Sequence, residues 1–247
     1  MADTRLKPIG ELLRASWALF SERFISLAAL SFIGAVAGML AAGAVLFAVG
    51  GSALLDQLTA LQGNVGEIDL ASPAIVVGVI LSLLVGLLVS GWQYAAVGRA
   101  ALATHPASFM DTGRAALKDA LPMFVVLLLT FFAIMLGFAV FFFPGVYVLI
   151  AVAFVVQVAL AEGKRGLSAL RRSRDLVRGY WWAIFGRYLA IVALIVIARS
   201  ILSTAFGAAG QDASDWFESL FDILVFFPFW ICLDTVLYRE LVAIKGK

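Results

Sequence analysis

Long apolar runs broken by short polar connections dominate the chain. A helix rises about 1.5 Å per residue and the hydrocarbon core of a bilayer is about 30 Å thick, so about 20 apolar residues make a span. Six runs qualify: 24–49, 73–97, 122–143, 146–161, 182–206 and 217–238, the fourth being short. Three further segments alternate apolar and charged positions at helical spacing. Each lies just before an odd-numbered span. Leu12, Leu13, Leu19 and Phe20 stand against Glu11, Arg14 and Glu22 in 9–24. Phe109, Ala116, Leu117 and Leu121 stand against Asp111, Arg114, Lys118 and Asp119 in 108–121. Leu167, Leu170, Leu176 and Val177 stand against Arg171, Arg172, Arg174 and Arg178 in 167–180. Such helices lie in the headgroup plane, cations toward anionic lipid. The expected fold is an all-α membrane bundle of six transmembrane helices with three interfacial amphipathic helices. The order surface helix, span out, span back occurs three times, and Leu13-Arg14-Ala15-Ser16 overlays Leu170-Arg171-Arg172-Ser173, which reads as a threefold repeat.

The placement of cations fixes the orientation. Arg5, Lys7, Arg14 and Arg23 precede span one; Arg99, Arg114 and Lys118 follow span two; Lys164, Arg165, Arg171, Arg172, Arg174 and Arg178 follow span four; Arg239, Lys245 and Lys247 follow span six. The connections after spans one and five carry Asp56, Glu67, Asp69, Asp212 and Asp215 with no Lys or Arg. The positive-inside rule assigns the cation-bearing connections to the cytoplasm, so both termini are expected there. An odd number of spans would break the alternation. The run beginning near Phe24 is too long for a signal peptide and reads as a retained span.

Composition agrees. Of 247 residues, 63% are hydrophobic and 14% charged, and the mean hydropathy is +1.04. A soluble domain carries about 25% charged residues to stay dissolved. The net charge of +2 and the clustering of cations beside spans argue against nucleic-acid binding. One cysteine, Cys232, and one histidine, His105, cannot build a usual zinc site. No metal and no cofactor are expected.

Charges inside spans are costly and seek partners. Arg187 and Arg199 in span five are twelve positions apart, as are Asp222 and Asp234 in span six. Twelve residues of helix cover about 18 Å. In antiparallel spans, Arg199 opposite Asp222 places Arg187 opposite Asp234. The expectation is a structural clasp of two ion pairs; the competing reading makes Asp222 or Asp234 a proton or ion site. Gly34, Gly38 and Ala42 in span one, and Gly78, Ser82, Gly86 and Ser90 in span two, recur every four positions. Such stripes admit close helix packing, with span one against span two expected first, contact between copies second and a ligand groove third. Gln93 and Gln157 are expected to hydrogen-bond neighbouring helices. Pro228 should kink span six.

No phosphate loop, His-Glu-x-x-His or Gly-x-Ser-x-Gly occurs. A different pattern does. Pro144-Gly145, an apolar run, Glu162-Gly163, then Ala169-Leu170-x-x-Ser173-x-x-Leu176-x-x-Gly179-x-x-Trp182 resembles the membrane domain of some bacterial glycerophosphoryl diester phosphodiesterases and related YciC-like inner-membrane proteins. The ending Thr235-Val-Leu-Tyr-Arg-Glu-Leu241 is similar to theirs. In those enzymes the chemistry belongs to a separate soluble barrel, which this sequence lacks, so no catalytic residue carries over. The resemblance implies a bacterial inner-membrane protein connected with envelope or lipid upkeep.

The expected function is therefore a non-enzymatic scaffold, accessory subunit or envelope- and lipid-maintenance factor. Its expected partners are anionic headgroups at the cytoplasmic face and other membrane-protein subunits. Arg171, Arg172, Arg174 and Arg178 would carry that contact, or would only set topology. A small transporter or lipid-moving protein is the alternative.

Overall fold

A computed structural model of the chain describes residues 6–61, 73–105, 108–207 and 211–246; the side chains of 52–61, 202 and 205–215 lie outside the description. The described residues are helical almost throughout. Helix α1 is Ile9–Glu22, α2 Phe24–Leu61, α3 Pro73–Leu102, α4 Phe109–Val140, α5 Phe142–Ala151, α6 Val155–Ala161, α7 Leu167–Val177, α8 Trp181–Gly207 and α9 Gln211–Phe221. A π-helical turn, Asp222–Phe226, joins α9 to α10, Phe227–Lys245. Among the described residues six stretches are long and apolar enough to cross a membrane: Phe24–Gly51, Pro73–Leu102, Phe109–Val140, Phe142–Ala161, Trp181–Ile201 and Trp216–Lys245. Their outer faces are as apolar as a core, with Val140 75%, Leu83 68% and Phe47 64% exposed. Water would not tolerate that surface. The architecture is that of a multi-pass membrane protein.

Several boundaries differ from expectation. Helix α2 runs on past the first apolar run, because the stretch 52–61 is rich in Ala and Leu and holds neither Gly nor Pro to stop a helix. The amphipathic segment 108–121 and span three form one helix, α4, with Pro122 inside it; prolines are tolerated in membrane helices. Span four is longer than expected and broken, α5 and α6 being separated by residues 152–154. The π turn lies directly before Pro228, which sits at the start of α10. Proline lacks an N–H and its ring crowds the carbonyl four residues back, so widening of the preceding turn absorbs it.

Each helix packs on its sequence neighbour through α2, α3, α4 and α5, while α6 lies on α3, and α1 on α10. The buried core concentrates at one end of the bundle, around Leu12, Phe20, Ala96, Phe154, Leu176 and Leu237. Both described chain ends lie there too, since the Lys7 N–H donates to Glu240 Oε2 and Arg172 donates to Gly246 O. This is the cation-rich end.

Two short helices dock there with the same spacing. Helix α1 buries Leu12, Ser16, Leu19 and Phe20; α7 buries Ala169, Ser173, Leu176 and Val177. The step i, i+4, i+7, i+8 is one face of a helix. Ser173 has a further task. Its hydroxyl donates to Ala151 O at 2.9 Å and accepts from the Phe154 N–H at 3.2 Å. It thereby satisfies backbone groups freed by the break in span four.

Candidate functional site at the cation-rich end

The last carbonyls of a helix lack intrahelical partners and carry partial negative charge. At the end of α3 two arginines meet them. Arg23, in the turn between α1 and α2, is buried and donates to Ala100 O at 2.6 Å and Ala103 O at 2.9 Å. Arg239, from α10, donates to Leu102 O at 3.0 Å. The sequence presents both as orientation markers; the structure uses them to cap span two and bind it to spans one and six.

Glu162, at the end of α6, is a second hub. Arg172 Nε lies 3.0 Å from both carboxylate oxygens, Lys164 Nζ is 3.1 Å away, and the Tyr238 hydroxyl donates at 3.2 Å. Burial pushes the carboxyl up, but the hydrogen bonds from Arg172, Lys164 and Tyr238 and the charge of Arg172 outweigh it and hold the group below its ordinary value. A lowered carboxyl keeps its tie at neutral pH and loses it only as pH falls through the lowered value. Gly163 turns the chain here at φ +65°, a conformation that favours glycine. The C-terminal residues are fastened to α7 as well. Lys245 Nζ donates to Asp175 O at 2.7 Å and to Arg178 O, and lies 5.5 Å from the Tyr180 ring centre.

These ties divide the four arginines grouped by sequence. Arg172 turns inward to Glu162 and Gly246 O, so it is corrected from a surface contact to a structural link. Arg171, Arg174 and Arg178 are exposed. Their guanidinium groups make no hydrogen bond or ion pair among the described residues. Arg172 stands three positions after Ala169 and four before Leu176, the two steps that share one helix face, which places it at the edge of the docked side.

The clasp between spans five and six is half as expected. Arg199 Nη1 lies 3.0 Å from Asp222 Oδ1, and Arg199 also pairs with Glu218 at 3.1 Å. Glu218 stands four positions before Asp222, one helical turn away, which was the available signal. The inner pair does not form. Arg187 donates to Lys7 O at 2.7 Å, Leu6 O at 3.0 Å and Ala183 O at 2.8 Å. Asp234 is buried and instead accepts the Tyr188 hydroxyl at 2.7 Å. The depth argument selected the right turn of α8. Neighbouring residues point 100° apart, and it is Tyr188, one position on, that faces α10. The long Arg187 side chain reaches the backbone of the N-terminal segment.

The small-residue stripes lie between α2 and α3. Ser82 donates to Ala42 O at 2.8 Å across the pair, whereas Ser90 donates to Gly86 O in its own helix. A Cβ on Gly34 would strike the Gln93 side chain at 2.5 Å; on Gly38, Gly78 or Gly86 it would meet ordinary contacts from 3.4 Å outward. Among the described glycines, the one whose added Cβ would press hardest on another helix's backbone is Gly91, one position beyond the stripe, where α3 touches α4. Gln93 donates to Ser31 O at 2.8 Å on α2. Gln157 is buried and its amide finds no partner among the described residues. Cys232 is buried and His105 exposed. Of the acidic connections, Glu67 and Asp69 lie outside the described residues, and the side chains of Asp56, Asp212 and Asp215 outside the described side chains.

Comparison of the chain with family models, curated proteins and solved structures gave no match.

Proposed function

We propose that this chain is a non-enzymatic multi-pass protein of a bacterial inner membrane, with both termini cytoplasmic. In this reading it serves as a scaffold or accessory subunit in envelope or lipid maintenance and engages anionic headgroups through α7. The observation that carries the reading is the division of α7 into two faces. Ala169, Ser173, Leu176 and Val177 hold the helix to the bundle, and the guanidinium groups of Arg171, Arg174 and Arg178 leave it with no hydrogen-bond or ion-pair partner among the described residues. Trp182, 77% exposed at the head of α8, marks the adjoining interface. An amphipathic helix so placed attracts anionic lipid by about 1 kcal/mol per basic residue.

The resemblance to phosphodiesterase membrane domains supports the same reading, and its residues have a physical role here. Ala169, Ser173 and Leu176 are fully buried, so that part of the motif describes how α7 docks. The matched burial spacing of α1 and α7 supports a repeat of surface helix, span out and span back.

The test is the composition of the lipid annulus. In nanodiscs, brominated phosphatidylglycerol should quench tryptophan fluorescence more than brominated phosphatidylcholine. The triple variant Arg171→Gln, Arg174→Gln, Arg178→Gln should reduce that preference by about tenfold or more, as should high salt. An unchanged preference in the folded triple variant would remove α7 as the lipid-engaging element and leave its arginines as topology signals only.

A further inference from the structure

A second basic feature at the cation-rich end is a cleft rather than a face. The end of α3, the middle turns of α4, the end of α6 and the turn leading to α7 converge around an opening of about 100 Å³. Its lining has two zones. Arg99, Lys164 and Arg165 stand with Asp119 on the polar side; Pro122, Met123, Val126 and Leu160 form the apolar side. Along α4 the order Asp119, Pro122, Met123, Val126 runs from the polar end of the bundle into the span. Leu160 continues that wall from α6.

The charges are unequally committed. Arg99 pairs with Asp119. Lys164 pairs with Glu162, which Arg172 already neutralises. Arg165 makes no side-chain hydrogen bond or ion pair among the described residues; only its backbone is engaged, with Ser168. The lining thus holds three cations and one carboxylate. Gly166, at φ +54°, sets the turn that presents Lys164 and Arg165.

We propose that this cleft is a binding site for the phosphate group of an anionic phospholipid, with its glycerol carbons against the half-buried Pro122 and Leu160, above a floor closed by the buried Met123 and Val126. Guanidinium and ammonium groups supply charge-assisted hydrogen bonds to phosphate oxygens. The apolar wall selects a lipid over a free phosphate, because a soluble anion gains nothing from Pro122 or Leu160. The site lies apart from Arg171, Arg174 and Arg178. It rests on the membrane reading of the chain and not on the role given to α7.

The experiment is native mass spectrometry of the protein released from a non-ionic detergent, with phosphatidylglycerol, phosphatidylcholine or inorganic phosphate added. The wild-type protein should retain one phosphatidylglycerol through activation that strips phosphatidylcholine. Arg165→Gln should weaken that retention by about fivefold or more, while Arg165→Lys preserves it. The triple α7 variant should keep the tightly held lipid even if its annulus loses anionic preference, which separates this proposal from the preceding one. Equal retention of the two lipids by the wild type would overturn the site, and that comparison needs no variant. Retention by Arg165→Gln matching that of wild type would also overturn it. Displacement of phosphatidylglycerol by inorganic phosphate at the same concentration would overturn the lipid as occupant.

Discussion

Gly91→Ala is expected to destabilise the bundle by about 3 kcal/mol or more, at or above the top of the usual range for overpacking. A Cβ at this position would lie 2.7 Å from Ala120 O, 2.9 Å from Phe124 N and 3.2 Å from Phe124 Cα. All three are backbone atoms of α4, so no side-chain rotation relieves the clash. Helices α3 and α4 would have to move apart. That movement would disturb the nearby Trp92 indole, which donates to Gly113 O at 2.9 Å. Gly38→Ala is the matched control. Its Cβ would meet Val89 Cγ1 at 3.7 Å, an ordinary contact, and stability should change by less than about 0.5 kcal/mol. Unfolding of purified protein by detergent titration reads both. Equal stability of Gly91→Ala and wild type would mean that the two backbones are not in contact.

Arg23→Met should cost about 3 kcal/mol. The side chain is buried and supplies donors to two carbonyls at the end of α3. Methionine fills much of the volume and supplies none. Carbonyls left without a partner in an apolar surrounding lose about 1–3 kcal/mol each, and the favourable charge at a helix C-terminus goes with them. Arg23→Lys keeps the charge and one reaching donor, so its loss should be smaller. The same unfolding titration orders the three proteins as wild type, lysine, methionine. If Arg23 serves orientation alone, folded Arg23→Met will melt with the wild type, and only the fraction inserted correctly will fall.

These two residues show where the sequence was readable and where it was not. Axial position is written plainly in the order of residues. Apolar length marks the spans, cations mark one end, and twelve-residue spacing placed Arg199 level with Asp222. Rotation about a helix axis is not written in the same way. A soluble helix reveals its buried face by one apolar stripe, but α3 and α8 are apolar all round. Nothing in the run distinguished Tyr188 from Arg187 as the residue facing α10, or Gly91 from Ser90 as the residue against the α4 backbone. Helix α7 is the instructive contrast. It alternates polar and apolar positions, and half of its docked face was legible. Leu176 and Val177 are buried as expected, but Leu167 is 55% exposed, and the other buried positions are the small residues Ala169 and Ser173 rather than Leu167 and Leu170. The inward turn of Arg172 was not legible, because a long cation can serve a headgroup or a buried carboxylate equally well, and Glu162 lies ten positions away across a turn. Arg23 was hidden for a similar reason, its partners being backbone carbonyls near position 100.

Lipid should surround these six helices, and the cation-rich end should face the cytoplasm. Single cysteines test both, introduced by Asn64→Cys, His105→Cys and Ser168→Cys in a Cys232→Ala background. A membrane-impermeant maleimide applied to intact spheroplasts should label position 64 and spare 105 and 168 until the membrane is opened. Labelling of 168 or 105 before permeabilisation, with 64 protected, would contradict the orientation. Labelling of all three in intact spheroplasts, or recovery of the chain in the soluble fraction, would contradict the membrane assignment itself.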